Sequence, residues 1–135
     1  MNGGSVKETA NKGKREMNQR FDEKRKATIE EAMIQLPGPK GELSVSLFEH
    51  GSLVVKIYVP HRTDLQTPHK RDEAYIVVQG SGEFVSEDKR LNFEQGDFLF
   101  AAAGEIHRFE NFSDDLVVWV LFYGPEGGEK LVNSE

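Results

Sequence analysis

From residue 42 onward, apolar side chains recur at every second position, the period of a strand with one face on a core. Leu43, Val45 and Leu47 alternate with polar residues. His50-Gly51 supplies a turn, and Leu53, Val55, Ile57 and Val59 alternate again, so the pair reads as a hairpin. Residues 60–72 (PHRTDLQTPHKRD) are polar with two prolines and read as a loop. Strands then follow at AYIVVQ (74–79), EFVSE (83–87), RLNFE (90–94), FLFA (98–101) and IHRFEN (106–111). They are separated by Gly80-Ser81-Gly82, Asp88-Lys89, Gln95-Gly96-Asp97 and the small-residue corner Ala102-Ala103-Gly104-Glu105. After the turn at Ser113-Asp114-Asp115, LVVWVLFY (116–123) is apolar on both faces, as expected of a strand inside a sheet or under another subunit. Eight short strands at regular spacing predict an all-β sandwich or barrel, and a jelly roll of two antiparallel sheets fits the count. Phe84, Phe93, Phe98, Phe100, Phe109, Phe112 and Trp119 are the expected aromatic core.

Before residue 42 the period is helical. Thr28 and Glu31 form a capping box, in which hydroxyl and carboxylate satisfy amides free at a helix start. Ile29, Ala32, Met33 and Leu36 fall on one stripe, and Pro37-Gly38-Pro39 ends it. This predicts a short amphipathic helix over 28–36 on the outside of the strand domain, residues 42–123. Residues 1–27 read as a polar leader, disordered or partly helical, with Met17 and Phe21 spaced for one helical face. Residues 124–135, rich in Gly and Glu, read as a flexible tail.

The 135 residues suit a single domain. With no cysteine, disulfides and Cys-ligated zinc or iron–sulfur clusters are excluded. Residues 1–40 hold nine basic and six acidic side chains, net +3, whereas 41–135 hold eight and seventeen, net −9. An acidic body repels phosphate backbones, so no nucleic acid is expected. No apolar run is long enough for a membrane span, and residues 1–20 lack the apolar stretch of a secretory signal, which points to a cytoplasmic protein.

Four histidines are present. His50 reads as a turn residue and His61 as a surface residue. His69 stands four residues before Glu73, which opens a strand with Tyr75, Val77 and Gln79 on the same face. A carboxylate facing inward there needs a proton, a partner or a cation. His107 opens a later strand. Two imidazoles and a carboxylate meeting in a barrel would suit a divalent metal with open positions, although histidines so far apart in sequence are usually unrelated.

The spacing adds to this. From His69 the chain reads HKRDEAYIVVQG: histidine, three residues, glutamate, six residues, glycine. From Gly96 it reads GDFLFAAAGEIHRFEN: glycine, five residues, Ala102-Ala103-Gly104, two residues, histidine, three residues, asparagine. Together, over about residues 51–123, these resemble the two motifs of the cupin superfamily, in particular its small single-domain, mostly uncharacterised members. The resemblance implies a cupin-type double-stranded β-helix, or jelly-roll barrel, here with an N-terminal helical extension. It also implies a metal held by three histidines and one glutamate. His69, Glu73 and His107 carry over. The remaining histidine falls on Thr67, and the proline of the second motif on Ala102. A threonine hydroxyl is a poor ligand for a transition metal, so the site has three protein ligands, a substitute ligand or no metal. Gln66, Asp64 and His61 are candidate substitutes, with Gln66 favoured as the nearest in sequence.

Iron, manganese, zinc and nickel all suit nitrogen and oxygen donors, whereas calcium prefers an all-oxygen shell. Tyr75, Gln79, Tyr58 and Thr67, with Lys56, are the expected pocket residues for a small polar organic ligand. The resemblance implies a metal-dependent enzyme of dioxygenase, isomerase or lyase type. The alternative is a non-catalytic ligand-binding or sensor barrel with an incomplete or empty metal site. Helix 28–36 and strand 116–123 both offer surface for a homodimer.

Overall fold

The computed structural model describes residues 23–131, so the expectations for residues 1–22 and 132–135 lie outside the described residues. Eight strands form two antiparallel sheets. They are β1 (Ser44–His50), β2 (Leu53–Tyr58), β3 (Asp72–Gln79), β4 (Gly82–Ser86), β5 (Lys89–Phe93), β6 (Phe98–Ala101), β7 (His107–Glu110) and β8 (Val117–Tyr123). The larger sheet runs β1-β2-β8-β3-β6 and the smaller β5-β4-β7. The chain therefore changes sheet at β3–β4, β5–β6, β6–β7 and β7–β8, and β8, apolar on both faces, sits in the middle of the larger one. The β3 strand begins at Asp72 rather than 74, which puts Glu73 in the ladder opposite Ala101 and Phe122.

The core lies between the sheets. Tyr75, Val77, Leu99, Ala101, Val118 and Val120 face Phe84, Phe93 and Phe109, all buried. The Tyr75 ring meets Phe84 and Phe109 edge-on, with centroids 5.6 and 5.1 Å away. Burial of each such side chain contributes about 1.5–3 kcal/mol. Gly80 turns the chain from β3 into β4 at φ +96°, and a Cβ there would stand 2.8 Å from Leu116 Cα. Only glycine fits both the left-handed backbone and the close approach.

One helix among the described residues, α1 (Ile29–Gln35), packs on the outer face of the larger sheet. Its capping box is formed, with Glu31 N donating to Thr28 Oγ1 and Thr28 N to Glu31 Oε1. Ala32 is fully buried against Leu47, Ile57 and Val117, while Ile29 and Leu36 flank it. Met33, assigned to the same stripe, is 46% exposed. The helix covers only one end of the sheet. At the other end Phe98 and Phe100 are 61% and 43% exposed, beside Ile76. These two aromatics are not core residues, as the sequence reading had them. They occupy the outward positions of an edge strand that nothing among the described residues covers. No helix in the described part is long and apolar enough to cross a membrane.

The corners of the barrel are tied by side chains. Buried Asp72 accepts from Ala103 N at 2.9 Å and from Glu129 N at 2.8 Å, and Gly127 N donates to Lys70 O. The segment after β8, read from composition as flexible, thus meets the barrel rim as far as Glu129.

Candidate metal centre

Glu73 and His107 alternate inward on β3 and β7, strands of opposite sheets. His69 lies near the end of the β2–β3 loop, three residues before β3. Its carbonyl accepts from Gly104 N at 2.7 Å, which ties that loop to the β6–β7 corner and sets the two imidazole rings 5.5 Å apart. The His69 ring also lies edge-on to Phe122 at 5.0 Å. Glu73 Oε1 is 3.1 Å from His107 Nε2 and 3.6 Å from His69 Nε2. One donor atom from each residue lies within 4.8 Å of the others. Metal–donor distances of about 2.1 Å put neighbouring donors about 3.0 Å apart in octahedral and about 3.4 Å apart in tetrahedral geometry. The two measured separations to Glu73 are of that size.

The hydrogen-bond pattern leaves a place for a proton or a cation there. His107 Nδ1 is 2.8 Å from the Glu105 carbonyl, which can only accept, so Nδ1 carries a hydrogen. In the neutral ring, Nε2 then presents a lone pair to a carboxylate oxygen. Both atoms are buried, and neither has a hydrogen-bond partner. The pair is within ion-pair reach but not aligned for a hydrogen bond. Two facing acceptors in a dry site need a proton or a cation between them. Burial lowers the His107 pKa, but Glu73, the Glu105 carbonyl and the Asp64 charge outweigh it and raise it above the usual histidine value. The donor set therefore fits a divalent metal, with His107 held in the ligating tautomer.

Around this group lies a hydrogen-bond network that the sequence reading missed. Its hub is Asp64, buried in the β2–β3 loop. Asp64 accepts from Tyr58 OH (2.6 Å), Gln66 Nε2 (2.7 Å), Phe109 N (2.8 Å) and Gln66 N (3.3 Å). The Gln66 carbonyl oxygen in turn accepts from Tyr75 OH at 3.1 Å. Gln66 thus uses both ends of its amide to hold the loop on the barrel. The only signal for Asp64 was that it is the one acid inside that loop before the strand that Asp72 opens. Its partner in β7 is 45 residues away. Burial first, then the neighbouring carboxylates, raises the pKa of Tyr58 and of Tyr75, so both are neutral phenols.

A cavity of about 390 Å³ opens from the centre to solvent. His69, Glu73, Gln66, Thr67, Tyr58 and Lys56 are among its lining residues. Tyr75 is fully buried beside it rather than on its wall. Gln79 lies elsewhere: a register shift between Val77 and Gln79 breaks the alternation, and its amide donates to the Asp115 carbonyl at the surface. The other two histidines, His50 and His61, are exposed and do not join the centre.

Comparison with known proteins agrees with this architecture. Residues 54–123 match the family model described as a cupin domain. An uncharacterized protein of Streptomyces coelicolor is 38% identical over 64 residues, 47% of this chain; the match spans 61% of that relative's length. Among solved structures, a protein of unknown function from Rhizobium leguminosarum superposes with a TM-score of 0.58 at 19% identity, covering 74% of this chain and 96% of that one. A cupin superfamily protein from Desulfitobacterium hafniense gives 0.52 at 15% identity, covering 60% and 75%. At these identities the structures speak for the fold alone. With its jelly-roll sheets and a family match over just over half its length, the chain belongs to the cupin family.

Proposed function

We propose that the barrel binds a divalent transition metal on His69, Glu73 and His107 and takes a small polar organic ligand beside it. The observation that carries this reading is the buried, unpartnered pair of acceptors, Glu73 Oε1 and His107 Nε2. Bound there, such a metal would supply Lewis acidity and open positions for a ligand oxygen. The chain's own part is positional. Glu105 fixes the His107 tautomer, Glu73 provides the anionic donor, and His69 stands at the cavity side, its side chain 34% exposed. Val120 and Phe122 keep that wall apolar, and the neutral Tyr58 phenol stands on the lining. Iron, manganese, zinc and nickel remain the candidate metals, and a dioxygenase, isomerase or lyase type of reaction the candidate chemistry. Elemental analysis of protein purified without a histidine tag tests the reading. About one metal per chain is expected in wild type, with loss in His107→Ala; low metal content unchanged by that substitution would sink it.

Thr67 favours a second reading, in which the three-residue site serves a ligand-binding or sensor barrel without turnover. It lines the cavity where the cupin motif has a histidine, and its hydroxyl makes no hydrogen bond among the described residues. Tight binding without product for every ligand that binds would select this reading. The proposal includes a cytoplasmic location, in keeping with a chain that has no cysteine. It also includes a homodimer, for which exposed Ile76, Phe98 and Phe100 offer an apolar face.

A further inference from the structure

Lys56 stands apart from every other charged group near the cavity. It projects from the inner face of β2, in register with Ser46 of β1 and Val120 of β8. It is half-buried and lines the same cavity as His69 and Glu73. No lysine or arginine besides it is on that lining, and among the described residues its ammonium makes no hydrogen bond or ion pair. Glu73 is the one acidic group on the lining, and it is committed to the histidines. The hydroxyls of Ser44, Thr63 and Thr67 also face the cavity without side-chain hydrogen bonds in the described part, whereas that of Tyr58 is taken by Asp64. The rest of the lining includes Leu43, Leu65, Val120 and Phe122.

An unpaired, partly desolvated ammonium is costly unless a counter-charge reaches it. A dication on His69, Glu73 and His107 would leave that centre with one net positive charge, so the cavity would be doubly cationic inside an acidic protein. We propose that Lys56 is the anion-recognition residue of this cavity and that its ligand is a small aliphatic carboxylate. The acid group pairs with the ammonium and the free hydroxyls, the carbon chain lies on the leucine, valine and phenylalanine walls, and an oxygen at the other end faces the metal centre. The inference rests on the metal reading for that second end only. Register gives the span: Lys56 and Glu73 are two strands and two residues apart, so their Cα atoms are about 12 Å apart. Both side chains stand on the same inner face, and a carbon chain of about four or five atoms with a contact at each end is of that length. A phosphate or a polyanion fits less well, because one lysine and four apolar side chains give too few donors.

The test uses full-chain protein loaded with Ni²⁺, titrated calorimetrically with malonate, succinate and glutarate, and with glutaramide as the uncharged counterpart of the last. At least one dicarboxylate is expected to bind, and glutarate at least about tenfold tighter than glutaramide. Lys56→Met is expected to weaken the dicarboxylate by about tenfold or more while leaving Ni²⁺ affinity within about twofold, which also reports an intact fold. Normal Ni²⁺ uptake with no dicarboxylate bound, with glutaramide as tight as glutarate, or with an affinity indifferent to Lys56→Met overturns the inference and leaves the metal reading standing. Failure to take up Ni²⁺ overturns the metal reading instead. The same titration of metal-free protein then decides Lys56 alone: dicarboxylate binding lost in Lys56→Met supports the anion site, and no binding overturns it.

Discussion

Replacing Glu73 by glutamine keeps the shape of a side chain that is 1% exposed and removes its charge. In metal-free protein the consequence should reverse with pH. His107 has its pKa raised above the ordinary 6.5. Its protonation therefore stabilises the fold fully below the unfolded value, and this contribution is lost as pH climbs through the folded value. On the acid side, wild type has an imidazolium 3.1 Å from a carboxylate, both side chains buried. Removing one partner of a buried ion pair leaves the other charge uncompensated at a cost of about 3–5 kcal/mol, so Glu73→Gln should lose up to about that much there. On the alkaline side, Nδ1 keeps its hydrogen for Glu105, and Nε2 and Oε1 face each other as unpartnered acceptors. Each such buried atom costs about 1–3 kcal/mol. A glutamine amide can donate to Nε2, so the variant should become the more stable protein by an amount of that order. The assay is urea denaturation of chelator-treated full-chain protein at several pH values from about 5.5 to about 8.5, with the histidine range between them. A stability difference that stays constant over that range, or that favours glutamine at acid pH, would mean that Oε1 and Nε2 do not face each other as unpartnered acceptors.

His69→Ala should cost under about 1 kcal/mol of stability because that side chain is 34% exposed, whereas His107→Ala, 1% exposed beside Glu73, should cost about 3–5. Thermal melts of the metal-free variants separate them, while both should lose metal. Asp64→Asn turns amide hydrogens toward the donors of Tyr58, Gln66 and Phe109 and is expected to destabilise by about 2–4 kcal/mol in urea. An unchanged midpoint would deny Asp64 its role as hub. Gly80→Ala pushes a methyl to 2.8 Å from Leu116 Cα at φ +96°, and should cost more than about 1 kcal/mol. Gly41→Ala, at φ +83° in open space, is the milder control. Charged substitutions at Phe98 and Phe100 should change the stability of the single chain by no more than about 0.5 kcal/mol, but sedimentation should show the proposed dimer dissociating.

The strands, the turns and the helix start can be read along the chain, because each is written in neighbouring residues. Alternation at Leu53–Val59 makes a half-buried strand, Thr28 and Glu31 cap a helix locally, and the doubly apolar 116–123 run belongs inside a sheet. The paired motifs around His69 and His107 carried the family and named the three residues that meet. Their meeting depends on the packed barrel, since Glu73 and His107 come from opposite sheets. That packing alone made Asp64 a hub by carrying its loop to a β7 amide and turned Gln66 inward to Tyr75. A register shift took Gln79 out of the cavity, and the edge position of β6 left Phe98 and Phe100 exposed. One cause underlies all of these. Which side of a strand is apolar depends on chain neighbours, whereas what covers that side, and which polar groups find each other there, depends on contacts between segments tens of residues apart.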